Sequence, residues 1–320
     1  MPVAEPDIIG KLQRREPFGF LLASVRGVGQ VDLQPLVWTG LLILAGLWSA
    51  GWEIGLFATL GTLVSTATAY ALGVDRSGIA LGLQGYSGCL TGIALVISLG
   101  HHPATYVLAV VGAIICTLLT ASLTTLLSPF GLTALTAPFC LVSGVMVLGA
   151  PSFTRIWNDA PKPVPSPTSG GTAISWDDLW HAFFTNVSQV FLVDEWYVGL
   201  LMLAGLACAG VRVLLFAAAG SVMGIVAGWA LGAPTELIRN GIYGYNAVLV
   251  AIALGAVLLS GTVANGAYAL FGAAASTGLT ASLTSFFKSF GGHTFTWPFI
   301  LTTWALMAAV PLLPRLRRSD

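Results

Sequence analysis

Three matched pairs of uncharged polar residues carry the repeated chemistry of this chain: Gln30 and Gln189, Tyr86 and Tyr245, Thr136 and Thr296. An amide, a phenol and a hydroxyl together offer both hydrogen-bond donors and acceptors. Neutral groups of this kind can replace the hydration shell of a small neutral solute without the cost of burying a charge. Aliphatic Val31, Val190, Leu90 and Leu249 stand beside them and could narrow a slot. The chemistry suits passage of a small, flat, polar molecule. The competing reading is helix packing, since Gln and Thr also hydrogen-bond between transmembrane helices; their occurrence in pairs favours a path. Catalysis is not indicated, because no nucleophile and base can be assembled and no metal set is spaced for binding. His101, His102 and His181 fall in loops or at a segment start and His293 beside Gly291-Gly292, with no acidic partner or metal spacing apparent. Cys89, Cys116, Cys140 and Cys208 lie singly in apolar runs and read as small packing residues. No cofactor is expected.

The pairs arise from an internal duplication. Gly82-Leu83-Gln84-Gly85-Tyr86-Ser87 recurs as Gly241-Ile242-Tyr243-Gly244-Tyr245-Asn246, 159 positions on, and the same offset carries Gln30-Val31 onto Gln189-Val190. Thr120 to Thr124 recurs as Thr280 to Thr284, and Thr136-Ala137-Pro138-Phe139 as Thr296-Trp297-Pro298-Phe299, now at an offset of 160. One residue was therefore gained between about Leu249 and Gly272. A repeat of this length fixes the architecture and has to be found first.

Composition places the repeat in a membrane. Charged residues are 8% of the chain and hydrophobic ones 56%, with mean hydropathy +0.87, whereas a soluble domain carries roughly 25% charge. The 38 glycines suit helices that approach closely in lipid. The first seventeen residues have no apolar run, so no cleavable signal is visible and the first spans must direct insertion. Candidate spans lie near 34–51, 54–73, 83–100, 103–127 and 133–152, with images near 193–210, 213–232, 242–260, 262–287 and 294–314. The breaks between them carry Gly, Pro and charge, as at Gly73-Val74-Asp75-Arg76 and Gly232-Ala233-Pro234. Five spans per half is an odd number, which makes the halves inverted repeats; in that architecture solute sites lie near the midplane between them. The expected fold is an all-α polytopic membrane protein.

Before each half runs an apolar stretch too short to cross, Pro17 to Gln30 and Leu179 to Gln189. These read as re-entrant half-helices, whose ends are tolerated at depth only where they are buried or line water; the alternative is an amphipathic helix lying on the surface. The expected domains are a first repeat over 1–155, a Pro/Ser/Gly linker over 156–177, a second repeat over 178–314 and a tail over 315–320. With the N-terminus inside, nine Lys and Arg (Lys11, Arg14, Arg15, Arg26, Arg76, Arg212, Arg315, Arg317, Arg318) fall on the cytoplasmic side and four (Arg155, Lys162, Arg239, Lys288) outside. That bias puts both termini in the cytoplasm and the linker outside. Ionisable groups are absent from the interior of the predicted spans, which argues against proton or sodium coupling. Asp32, Asp194 and Glu195, just after the Gln-Val pairs, read as a wetted segment end. Pro138 and Pro298 are expected to break their helices and free backbone carbonyls beside the path; a kink used for packing is the alternative.

The paired Gly-Leu/Ile-x-Gly-Tyr motifs, the paired Gln-Val and the paired Thr-x-Pro-Phe together resemble the urea transporter family, from about Gly27 to Trp304. The resemblance implies a channel-like homotrimer in the cytoplasmic (inner) membrane, with a pore in each subunit between inverted repeats, and urea moving down its gradient without coupling. It implies no nucleic-acid partner. It would place Gln30 and Gln189 at two constrictions, Val31 and Val190 along the slot, Tyr86 and Tyr245 as the aromatic after the second motif glycine, and Leu90 and Leu249 beside Thr136 and Thr296 at the centre. Departures follow. Ser87 stands where the family, and Asn246 here, has Asn. Leu33 and Leu192 occupy the position of an expected aromatic, and Leu83 and Ile242 are aliphatic as well, so the slot is less aromatic than the family pattern. The rival functions are a channel of the same fold for other small amides or ammonia, and an ion-coupled secondary transporter.

Overall fold

The computed structural model describes residues 5, 7–13, 18–156 and 171–319. Arg14, Arg15 and Lys162 of the charge count and most of the linker lie outside the described residues. The chain divides into two compact units, Met1–Pro129 with Thr133–Lys162, and Phe130–Leu132 with Pro163–Asp320.

The first unit contains α1 (Asp7–Gln13), α2 (Phe18–Gly29), α3 (Val37–Ala50), α4 (Trp52–Ala71), α5 (Arg76–Ala80), α6 (Tyr86–Leu99), α7 (Pro103–Leu127) and α8 (Ala137–Gly149). The second contains α9 (Trp176–Ser188), α10 (Trp196–Ala209), α11 (Val211–Ala230), α12 (Thr235–Arg239), α13 (Tyr245–Ile252), α14 (Val263–Lys288) and α15 (Trp297–Ala309). An apolar helix stands at each of the ten expected places, and the described residues form no strand beyond an isolated bridge between Leu259 and Arg318. Among the described residues, α4, α7, α11 and α14 are each long and apolar enough to cross a membrane singly, and the bent pairs α2–α3 and α9–α10 are so when taken together. The remaining apolar helices are cut short by the breaks: α6, with 14 residues, reaches about 21 Å at 1.5 Å per residue, against a hydrocarbon core of about 30 Å.

The two half-helices form as predicted in type. α2 passes through a tight turn at Gln30–Asp32 and meets α3 at a bend of 79°, and α9 passes through Gln189–Phe191 and meets α10 at 76°. Each bend is made by a leucine in the left-handed region, Leu33 and Leu192, both at φ 62°. Its amide closes the turn onto the glutamine carbonyl, at 3.0 Å in the first unit and 2.9 Å in the second.

Glycine sets how closely the helices pack. A Cβ on Gly61 of α4 would stand 2.0 Å from the Gly88 carbonyl oxygen of α6, and one on Gly40 or Gly199 would stand 2.0 Å from the carbonyl oxygen of Val25 or Phe184. Backbones therefore touch where any larger residue would hold them apart, the packing mode of helices that share an apolar solvent.

The extra residue of the second half also has a place. α13 runs on into a π-helical turn, Ala253–Val257, where the regular α6 has no counterpart. A turn closed from i to i+5 takes in one more residue than an α turn. Starts of α6 and α13 differ by 159 positions and starts of α7 and α14 by 160, so the wide turn lies where the offset changes. Arg212 caps it, donating to the carbonyls of Gly255 and Leu259. The tail expected over 315–320 is pinned to the same end: Ser260 donates to Arg317, Ser319 to Leu258, and Asn265 bonds both ways with Arg317.

Candidate functional site

Each unit brings its own three motifs together at the ends of broken helices. In the first, the Gln30–Asp32 turn packs against α6, and Gln30 donates its amide to the Leu81 carbonyl at 2.8 Å. Leu81 ends α5, which is held by Asp75: its carboxylate accepts from the Gly78 amide at 3.1 Å and from the Ser77 hydroxyl. Those two bonds hold the Asp75 carboxyl below the usual carboxylate range. Two residues past Leu81, Leu83 is exposed, while its counterpart Ile242 is half-buried.

The motif glycines now have physical reasons. Gly82 and Gly241 sit at φ 81° and 75°, where a side chain is strained. A Cβ on Gly82 would also stand 2.4 Å from the Gly27 nitrogen, and one on Gly241 2.6 Å from the Thr185 carbonyl oxygen. Gly85 and Gly244 leave no room either, facing Thr62 and Asn186. Tyr86 and Tyr245 then start α6 and α13.

Both tyrosines reach the third motif. Tyr86 donates to the Leu135 carbonyl at 2.8 Å, and Tyr245 donates to the Phe295 carbonyl. Leu135 and Phe295 are left-handed, at φ 47° and 43°, and the next residues are Thr136 and Thr296, the N-caps of α8 and α15. The structure therefore assembles, in each unit, tyrosine and threonine at adjoining helix N-termini, with Leu90 and Leu249 fully buried one turn into the same helices. Val31 and Val190 are 1% exposed and Thr136 and Thr296 3% and 1%, so each lies in a dry surrounding within its unit. Gln189, by contrast, is half-buried and its side-chain Oε1 has no hydrogen-bond partner. Leu33 and Leu192 are half-buried at the bends.

Several expectations are corrected. Pro138 and Pro298 do not break helices; they occupy the first turns of α8 and α15, where the missing N–H is one that has no intrahelical acceptor in any case. The backbone bond over them survives, from Cys140 to Thr136 and from Ile300 to Thr296, each at 3.1 Å. Asp194 and Glu195 are exposed, but Asp32 is not wetted: it is 0% exposed and neither carboxylate oxygen has a hydrogen-bond partner. Arg26, counted with the cytoplasmic charges, is buried within its unit and pairs with Glu5, Gln13 and the Ala80 carbonyl. His101 and His181 do find acidic neighbours, Glu53 at 3.6 Å and Asp177 at 3.4 Å. No group of three potential metal ligands occurs among the described residues.

Sequence reasoning missed Leu81, Leu135 and Phe295, and named Asn246 only as the counterpart of Ser87. A leucine or phenylalanine at positive φ leaves no compositional mark, and the acceptors at Leu81, Leu135 and Phe295 are backbone atoms. Asn246 was open to detection, as a buried-motif amide facing Ser87 in the repeat.

Apolar helices broken in matched pairs, with neutral donors and acceptors collected at the breaks, define a multi-pass membrane protein for moving a small solute. The chain belongs to the urea transporter family, whose family model matches residues 21–311. It is similar to urea transporter 1 of sheep, 31% identical over 288 residues that cover 87% of this chain and 74% of the relative. Urea transporter 1 of goat matches to the same extent, and that of rat is 28% identical over 302 residues, 92% of this chain and 78% of the relative. It is a transporter, not an enzyme.

Proposed function

We propose that the protein conducts urea passively, as a channel, across the cytoplasmic membrane. The observation that carries the reading is the doubled half-site: in each repeat a glutamine amide, a tyrosine-held helix start and a capping-position threonine sit on buried aliphatic walls. Such a lining exchanges hydrogen bonds with a flat neutral amide and gives an ion nothing to offset its lost hydration. Gln30 and Gln189 act at constrictions, Val31, Val190, Leu33, Leu192, Leu83, Ile242, Leu90 and Leu249 shape the slot, Tyr86 and Tyr245 fix the helix starts, and Thr136 and Thr296 contact urea midway. The repeats run over 1–155 and 178–314, inverted in the membrane with both termini cytoplasmic and the 156–177 linker outside, and three copies assemble. Other small amides and ammonia are the rival solutes of the same fold.

Stopped-flow light scattering on proteoliposomes under an inward urea gradient tests the reading. Fast urea entry is expected, falling about tenfold when Thr136→Val and Thr296→Val are combined, the scale of one or two lost hydrogen bonds. Urea entry no faster than in empty vesicles, with entry of another amide or ammonia, would transfer the function to the rival.

A further inference from the structure

The two half-sites are tied by different sets of hydrogen bonds, most plainly at Asn246 and its image Ser87. In the second unit three ties converge on the start of α13. Thr277 donates to the Tyr243 carbonyl at 3.1 Å, Tyr245 donates to Phe295, and Asn246 bonds two further helices. Asn246 is 0% exposed. Its Nδ2 donates to Thr280 Oγ1 at 3.1 Å and its Oδ1 accepts from the Phe299 amide at 3.1 Å. The orientation of that amide group is determined, because Thr280 already spends its proton on the Ser276 carbonyl at 2.8 Å and can only accept.

Phe299 lies in the first turn of α15, where backbone N–H groups have no acceptor within the helix. The usual acceptor for such an N–H is the N-cap side chain, but Thr296 holds that position without capping. Asn246 supplies the cap from α13 instead, and so fixes the turn that carries Thr296.

The first unit lacks this device. Ser87 stands at the matching position, 1% exposed, and its hydroxyl has no hydrogen-bond partner. Thr117, the counterpart of Thr277, is turned to Ser65 and Ala113. Only the Tyr86 tie to Leu135 remains of the three. Thr120 stands ready as Thr280 does, donating to the Cys116 carbonyl at 2.8 Å.

We propose that Asn246 is the positioning residue for Thr296, and that the second half-site sets the discrimination between urea and its N-methylated analogues while the first is permissive. The proposal rests on the urea path above. An extra methyl group is rejected only where the contacting hydroxyl cannot yield, which is what a fixed helix turn provides.

The test compares entry of urea and N-methylurea in proteoliposomes for the wild type, Asn246→Ser, Thr280→Val and Ser87→Asn, alongside hydrogen exchange over residues 296–301. Asn246→Ser copies a residue the fold carries at the matching position. It is expected to speed exchange at Phe299 and to lower the urea to N-methylurea ratio about three- to tenfold, the scale of one lost hydrogen bond. Thr280→Val, which keeps the Phe299 bond, should lower it less, and Ser87→Asn should raise it. Faster exchange with an unchanged ratio, or equal shifts in the same direction from Asn246→Ser and Ser87→Asn, would overturn the proposal. A wild type that passes formamide but no urea would sink the urea reading alone, and the formamide to N-methylformamide ratio in the same variants would then decide the role of Asn246.

Discussion

Asp32 shows how far a single residue can depart from what its neighbours suggest. It follows Gln30-Val31, in a turn whose repeat image carries Phe191, and both positions are 0% exposed. Where one half buries an aromatic ring, the other buries a carboxylate with no hydrogen-bond partner. A buried polar group left unpaired costs about 1–3 kcal/mol, more when it is charged. Asp32→Asn removes the charge at constant shape and is expected to raise the melting temperature in detergent; an unchanged or lower value would mean that the carboxylate has a stabilising partner. Proximity to a chain break made Asp32 read as wet, because sequence gives a residue's distance along the chain and not the depth of the turn that holds it. Gln30, Thr136, Thr296 and the tyrosines stand out as candidates for the opposite reason: repetition singles out residues whose chemistry is kept in both copies.

Elements were legible in place and type, and misread in length. Hydropathy marks where the chain is apolar, and α6 and α8 are apolar, but the break before each is made by backbone turns at Leu81 to Gly85 and at Leu135. Proline misled for a related reason: Thr-x-Pro-Phe looks like a helix interrupted, and is a helix beginning. The second glycine of the motif is packed to different depths in the two copies. At Gly244 a Cβ would stand 2.0 Å from the Asn186 amide, whereas at Gly85 it would stand 2.9 Å from the Thr62 methyl. Asn186 is itself bonded to Ser221, at 3.1 Å to its carbonyl and 3.0 Å to its hydroxyl, and cannot yield. Gly244→Ala should therefore cost more than Gly85→Ala, with the latter in the range of about 1–3 kcal/mol typical of overpacking. Thermal unfolding of the two variants side by side checks the order; equal loss would mean that Asn186 moves aside freely.

For the whole molecule, the duplication was the most readable feature and the one that mattered most, since it set the element count and paired the candidate residues. What it could not reveal is where the copies have diverged, because divergence in a repeat looks the same whether it alters a contact or decorates a surface. The junction between the half-helix and the short helix is a case: in the first unit Arg26 donates to the Ala80 carbonyl, and in the second Thr185 donates to the Arg239 carbonyl. Different side chains make the same tie at matched positions. Transport by such a molecule should be uncoupled. Vesicles loaded under an imposed proton or sodium gradient are expected to reach equal urea inside and out and no more, and accumulation above the external concentration would show a carrier.

The π turn at Ala253–Val257 is a record of history. An added residue in a helix ordinarily rotates everything beyond it by about 100°, the angle of one residue at 3.6 per turn, and would have turned the inner face of α13 or α14 outward. Here the addition lies in one swollen turn, Ala253–Val257, with Arg212 donating to the buried Gly255 carbonyl. The wide turn therefore absorbs the extra residue between Leu249 and Thr296, so that two candidate site residues stand on either side of it.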